Sequence, residues 1–73
     1  MAKYYSLTTY KNSKQTNFWD FYTTLTQARK DAKQCIKDGS HEVVIAEESN
    51  NFPRWKDIEH HYPFNGKIIS ESI

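Results

Sequence analysis

The 73-residue chain holds one cysteine, one methionine, two glycines and two prolines. A lone Cys35 cannot form an internal disulfide, so no covalent cross-link offsets a small core. It fits a reducing compartment, and a cytoplasmic location is expected. With only Gly39 and Gly66, the chain has no glycine-rich loop to cradle a phosphate. No apolar run approaches the roughly 20 residues that span a bilayer, and the opening MAKYYSLTTY lacks the apolar segment of a secretory signal. Excess charge is missing too. Ten Lys/Arg against nine Asp/Glu leave +1, which argues against a nucleic-acid mimic and against a general polyanion binder. A chain of this length hides only about 60% of its unfolded surface. A single domain over residues 1–73, with marginal stability, is expected.

What is present is unevenly spread. Mean hydropathy is −0.89, yet 15% of residues are aromatic, so the apolar material is concentrated in rings. Charge also divides: residues 1–39 carry seven Lys/Arg against three Asp (+4), and residues 40–73 carry three against six Asp/Glu (−3). The bland account is a solvated helix face; the asymmetry would also orient a partner or another copy of the chain.

The clearest local signal is TLTQARKDAKQCIKDG, residues 24–39. Thr24 is placed to cap a helix, with Gln27 completing a capping-box pattern. Leu25, Ala28, Ala32, Cys35 and Ile36 fall within an arc of roughly 100°. Lys30, Lys33 and Lys37 lie opposite, with Arg29 at the edge. Gly39 stands where a left-handed C-cap favours glycine. The spacing predicts a helix over about 25–38 whose alanine-lined face needs a bulky partner.

Around it, KYYSLTTY (3–10) reads as a strand, KNSKQTN (11–17) as a polar turn, FWDFYTT (18–24) as a second, antiparallel strand and EVVIAE (42–47) as a third, covered on both faces. Residues 52–64 are ambiguous. Trp55, Ile58 and Tyr62 have helical spacing with Pro53 at a possible helix start, whereas Ile58, His60, Tyr62 and Phe64 alternate. A short turn or helix near Trp55 is expected, then a hairpin at Asn65-Gly66 and a strand over KIISES. The fold class is α+β, with one helix packed on a small, mostly antiparallel sheet in the order β-β-α-β-β(-β). A third strand parallel to the second would make the helix a crossover.

Side chains alternate along a strand, so the doublets Tyr4-Tyr5, Phe18-Trp19 and Phe21-Tyr22 cannot all face the helix. If Tyr5 and Leu7 point inward, Tyr4 and Tyr10 point outward. If Asp20 seeks water, Phe18 and Tyr22 share its face while Trp19 and Phe21 point in. The far face then holds Tyr4, Tyr10, Phe18 and Tyr22, a ring-rich patch like the centre of a protein interface. Trp55 is a further anchor unless the segment with Phe52, Trp55 and Phe64 folds back as cover.

Chemistry is sparse. His41, His60 and His61 lie near Asp57 and Glu59, but adjacent histidines cannot share one strand face and no spacing matches structural zinc. Cys35 reads as a small buried hydrophobe. The serines and threonines follow no nucleophile pattern, so no enzyme, cofactor or metal is expected. Arg29, Lys30, Lys33 and Lys37 form a basic stripe that would serve a nucleic-acid reading, although it faces away from the ring-rich sheet face. A homo-oligomer enclosing a flat, nucleotide-like ligand is a third class.

In its length, its YYSLTTY opening strand and its T-x-x-Q-A helix entry, the chain resembles the small accessory proteins of bacteriophages and other mobile elements. The resemblance implies binding and blocking of a host enzyme or defence complex, or sequestration of a signal molecule. The expectation is a non-enzymatic module that binds a protein, or itself, through the aromatic sheet face.

Overall fold

Alternating rings, leucine and threonines at the start of the chain form β1 (Tyr4–Lys11), which turns back into β2 (Lys14–Tyr22). The helix α1 (Leu25–Lys37) follows, then β3 (Glu42–Glu48), β4 (Trp55–Phe64) and β5 (Lys67–Ser72). The computed structural model describes residues 4–48 and 55–73. One five-stranded sheet has the order β2-β1-β3-β4-β5, each neighbouring pair antiparallel, with α1 packed on one side. This is the expected α+β architecture. Because β2 and β3 both run antiparallel to β1, they are parallel to each other with β1 between them. The helix therefore carries the chain over β1.

Two expectations need correction. Residues 11–17 are not a long loop: β1 runs to Lys11, β2 starts at Lys14, and only Asn12-Ser13 turns, at φ 54° and 64°. Both residues are left-handed, as a type I′ turn requires. The polar run continues as strand because β2 is an exposed edge, where Lys14, Gln15 and Asn17 stay in water. Nor is there a helix near Trp55. Residues 55–64 form a strand paired on both sides, with an irregularity at Ile58 between Ile45↔Glu59 and Ala46↔Asp57. Alternation prevails over helical spacing because the sheet supplies backbone partners on either flank. Pro53 and Phe52 lie outside the described residues. The Asn65-Gly66 hairpin forms as expected, at φ 50° and 75°.

The helix ends follow its sequence signals. Thr24 is extended and its Oγ1 accepts from the Gln27 N–H at 3.3 Å, satisfying one orphan amide. The Gln27 side chain donates instead to Asp31, at 3.2 Å. At the other end Gly39 (φ 112°) donates to the Ile36 carbonyl and Ser40 to that of Cys35, a Schellman closure. Ala28, Ala32 and Ile36 are buried against Leu7, Val43, Ile45 and Tyr22, with Leu25 and Cys35 at the margin. The alanines allow close approach, and the sheet provides the bulk.

Candidate functional site

The two faces of the sheet differ in what they expose. On β1, Tyr5 and Leu7 face the helix, so alternation puts Tyr4, Thr8 and Tyr10 on the far side. Phe18, opposite Thr8, joins them, and Trp55, opposite Glu48, closes on Phe18 with ring centroids 5.8 Å apart. That contact bridges β2 and β4. Between them lies the buried cross-strand pair Ser6↔Ala46, two small residues that leave room for rings. Tyr4, Phe18 and Trp55 remain 44, 46 and 40% exposed. Tyr10 is half-buried.

Tyr22 is not on this face. It is buried in the helix-side core, its hydroxyl donating to Asp31 Oδ2 at 2.8 Å. The cause is a bulge. Tyr5 pairs with Tyr22 and Leu7 with Trp19, so the single Ser6 opposes both Asp20 and Phe21. The extra residue resets the alternation, and Trp19 and Tyr22 both reach the helix side. Phe21, expected inward, is instead 65% exposed and stacks on Tyr22 at 5.2 Å. A second irregularity, at Thr16, is held by Thr9, whose Oγ1 accepts from the Asn17 N–H at 3.1 Å. Burial, reinforced by Asp31, pushes the Tyr22 phenol far above its ordinary range.

Register also places Glu42, Glu48, Asp57 and Glu71 on the far face, with Lys67 at its end. The ring patch is therefore set among carboxylates. The basic stripe is divided. Lys30 and Lys37 are exposed on the helix, whereas the Arg29 guanidinium donates to Glu59 of β4 through Nε (2.7 Å) and Nη2. Lys33 borders a cleft with Arg29.

That cleft, of about 210 Å³, is lined by Arg29, Lys33, Glu59, His61, Ser70, Glu71 and Ser72. Glu59 Oε1 lies 3.1 Å from His61 Nε2, and Ser70 Oγ lies 2.8 Å from His61 Nδ1. Arg29, Glu59, His61 and Ser70 thus form one continuous chain from helix to outer strand. The Arg29 guanidinium holds the Glu59 carboxyl below its usual range. Burial holds the His61 imidazole below its own, against the opposing pull of Glu59. His61 is consequently neutral near pH 7, its Nε2–H donating to Glu59 and its Nδ1 accepting from the Ser70 hydroxyl.

No family model, curated protein or solved structure matches the chain. The site is read from its own residues. Among the described residues no group of three or more His, Cys, Asp or Glu is placed to hold a metal, and no helix is long and apolar enough to cross a membrane. Sequence reasoning missed the Ser70–His61–Glu59 chain. Glu59 and His61, two apart on a strand, share a face, which was a visible signal. Their link to Ser70 depends on hairpin register, and that to Arg29 on helix docking.

Proposed function

We propose that this chain is a protein-interaction module that acts sterically, docking its aromatic sheet face on a basic surface of a partner protein. One observation carries the reading: Tyr4, Phe18 and Trp55 stay substantially exposed on a face that also holds Glu42, Glu48, Asp57 and Glu71. Rings at an interface centre supply most of the binding energy, and carboxylates around them select for Arg and Lys. Arginine also stacks favourably on exposed rings. The same carboxylates repel phosphate, which disfavours nucleic acid on this face, and they oppose a symmetric dimer through it. Docking of this kind is non-catalytic. The resemblance to phage accessory proteins makes a host enzyme or defence complex the expected class of target.

The test is affinity capture from host lysate with the wild-type chain and the Phe18→Ala/Trp55→Ala double variant, followed by titration of the captured protein. Each hot-spot ring is expected to contribute about 2 kcal/mol, so either single change weakens binding about 30-fold. Association should slow as salt rises. Capture that survives the double change, or a captured partner that is acidic at its contact surface, refutes the reading. So does concentration-dependent dimerisation abolished by the same two changes.

A further inference from the structure

Ser70, His61 and Glu59 lie apart from the docking face, on the helix side of the sheet, and their connectivity is that of a nucleophile, a base and a group that orients the base. His61 is 1% exposed, so its ring is held rigidly, while Ser70 is exposed on the outermost strand. The register adds a second feature. The Ile73 N–H donates to the Ile58 carbonyl at 3.0 Å, and the pairs alternate from there to the Asn65-Gly66 turn. Ser70↔His61 and Ser72↔Glu59 are therefore non-hydrogen-bonded pairs. Their side chains approach closely, and the N–H groups of Ser70 and Ser72 point to the open edge of the sheet. The Ser70 N–H is thus a single backbone donor at the edge beside its own hydroxyl, open to an incoming carbonyl oxygen; the Ser72 N–H, about 6.8 Å further along the strand, is too far to share it. Of the two cations in the cleft, Arg29 is paired with Glu59, while Lys33 meets no carboxylate among the described residues. Glu71 borders the cleft, but its carboxylate turns to the far face, where it accepts from the Tyr62 hydroxyl.

We propose that Ser70 is an acyl-accepting nucleophile, with His61 as its general base, toward esters that carry a carboxylate or phosphate group recognised by Lys33. Ser70 Oγ bonds to the ester carbonyl carbon as its proton passes to His61 Nδ1. The carbon–oxygen bond to the leaving alkoxide then breaks, and that oxygen takes the proton from Nδ1. Water, deprotonated in turn by His61, attacks the acyl-serine, releases the acid and restores the Ser70 hydroxyl. Glu59, anchored by Arg29, is a positioning residue that fixes the tautomer with Nδ1 free to accept.

The test uses the full chain and an alkyl fluorophosphonate, with which Ser70 forms an Oγ–P bond as fluoride leaves. Intact mass is expected to show one adduct, and peptide mapping to place it on Ser70. The wild-type result decides the matter even if a variant folds poorly. Ser70→Ala should take no label, Thr26→Ala should label as wild type, and Glu59→Gln or His61→Gln should slow labelling about 100-fold. The labelling rate should follow one deprotonation below the ordinary imidazole range, a readout that a purely structural network would not produce. Lys33→Ala should slow hydrolysis of 4-acetoxybenzoate about fivefold more than that of 4-nitrophenyl acetate, the scale of one surface ion contact. An adduct elsewhere, or none under conditions that label an ordinary serine hydrolase within minutes, overturns the proposal. Equal effects of Lys33→Ala on both esters overturn the anionic preference.

Discussion

Replacing Tyr22 by alanine should cost the chain a large part of its stability. The ring is 7% exposed, packs with Leu7, Ala28, Ala32 and Ile36, and sends its hydroxyl to Asp31. Truncating a core aromatic to alanine typically costs about 3–5 kcal/mol. At roughly 0.05–0.15 kcal/mol per residue, the whole chain has about 4–11 kcal/mol to lose. Tyr22→Phe removes only the hydroxyl. Asp31 is half-exposed and keeps Gln27, so about 1 kcal/mol is expected. Urea unfolding followed by Trp19 and Trp55 fluorescence measures both, with Tyr4→Ala on the far face as a control expected within about 0.5 kcal/mol of wild type. The raised phenol also has a pH consequence. The folded state keeps the Tyr22 proton where the unfolded chain releases it, so this contribution is fully present below pH 10, the ordinary tyrosine value, and is lost as pH rises above it. That alkaline slope should be smaller in Tyr22→Phe. A Tyr22→Ala chain as stable as Tyr4→Ala would mean that the ring is not core and that the β2 bulge does not redirect it.

Three further outcomes follow from the same geometry. Stability should fall as pH drops below about 6.5, because His61 stays neutral in the fold while the unfolded imidazole takes a proton, and fall again below 4.5 as the unfolded chain protonates Glu59 first; urea midpoints from pH 8 to 4 read both steps, and a flat profile would contradict the network. Ser13→Gly should stabilise the chain by about 0.5–1 kcal/mol, since Ser13 is held at φ 64° in the type I′ turn where glycine is unstrained; a thermal melt with no upward shift would count against it. Gly39→Ala should cost at least about 1 kcal/mol through backbone strain alone, because φ is 112° and a Cβ there meets nothing within 4 Å; a neutral result would show that the Schellman closure does not hold this helix end.

Local signals were legible where the backbone interacts with itself. Thr24, Gly39 and Asn65-Gly66 act within a few residues, so the helix ends and the last hairpin could be read directly. The outward setting of Tyr4 and Tyr10 also followed from alternation, because β1 pairs with β3 without interruption. Alternation failed for Phe21 and Tyr22, where one extra residue in β2 shifts the faces. At Trp55 alternation and helical spacing compete locally, and the strand forms because its two neighbours, which lie elsewhere in the chain, pair with it.

The amino-acid order alone determined α1, the Asn65-Gly66 hairpin and the succession of elements, because capping, turn chemistry and periodic burial are short-range effects, whereas the strand at Trp55 needed its two neighbours. It also determined that rings would outnumber the places a small alanine-lined helix can cover. Only the tertiary structure decided that β1 lies between β2 and β3, that Tyr22 turns inward, and that Arg29, Glu59, His61 and Ser70 meet across three elements. These depend on register and docking between distant segments, where a one-residue shift moves a side chain to the opposite face and no local preference opposes it.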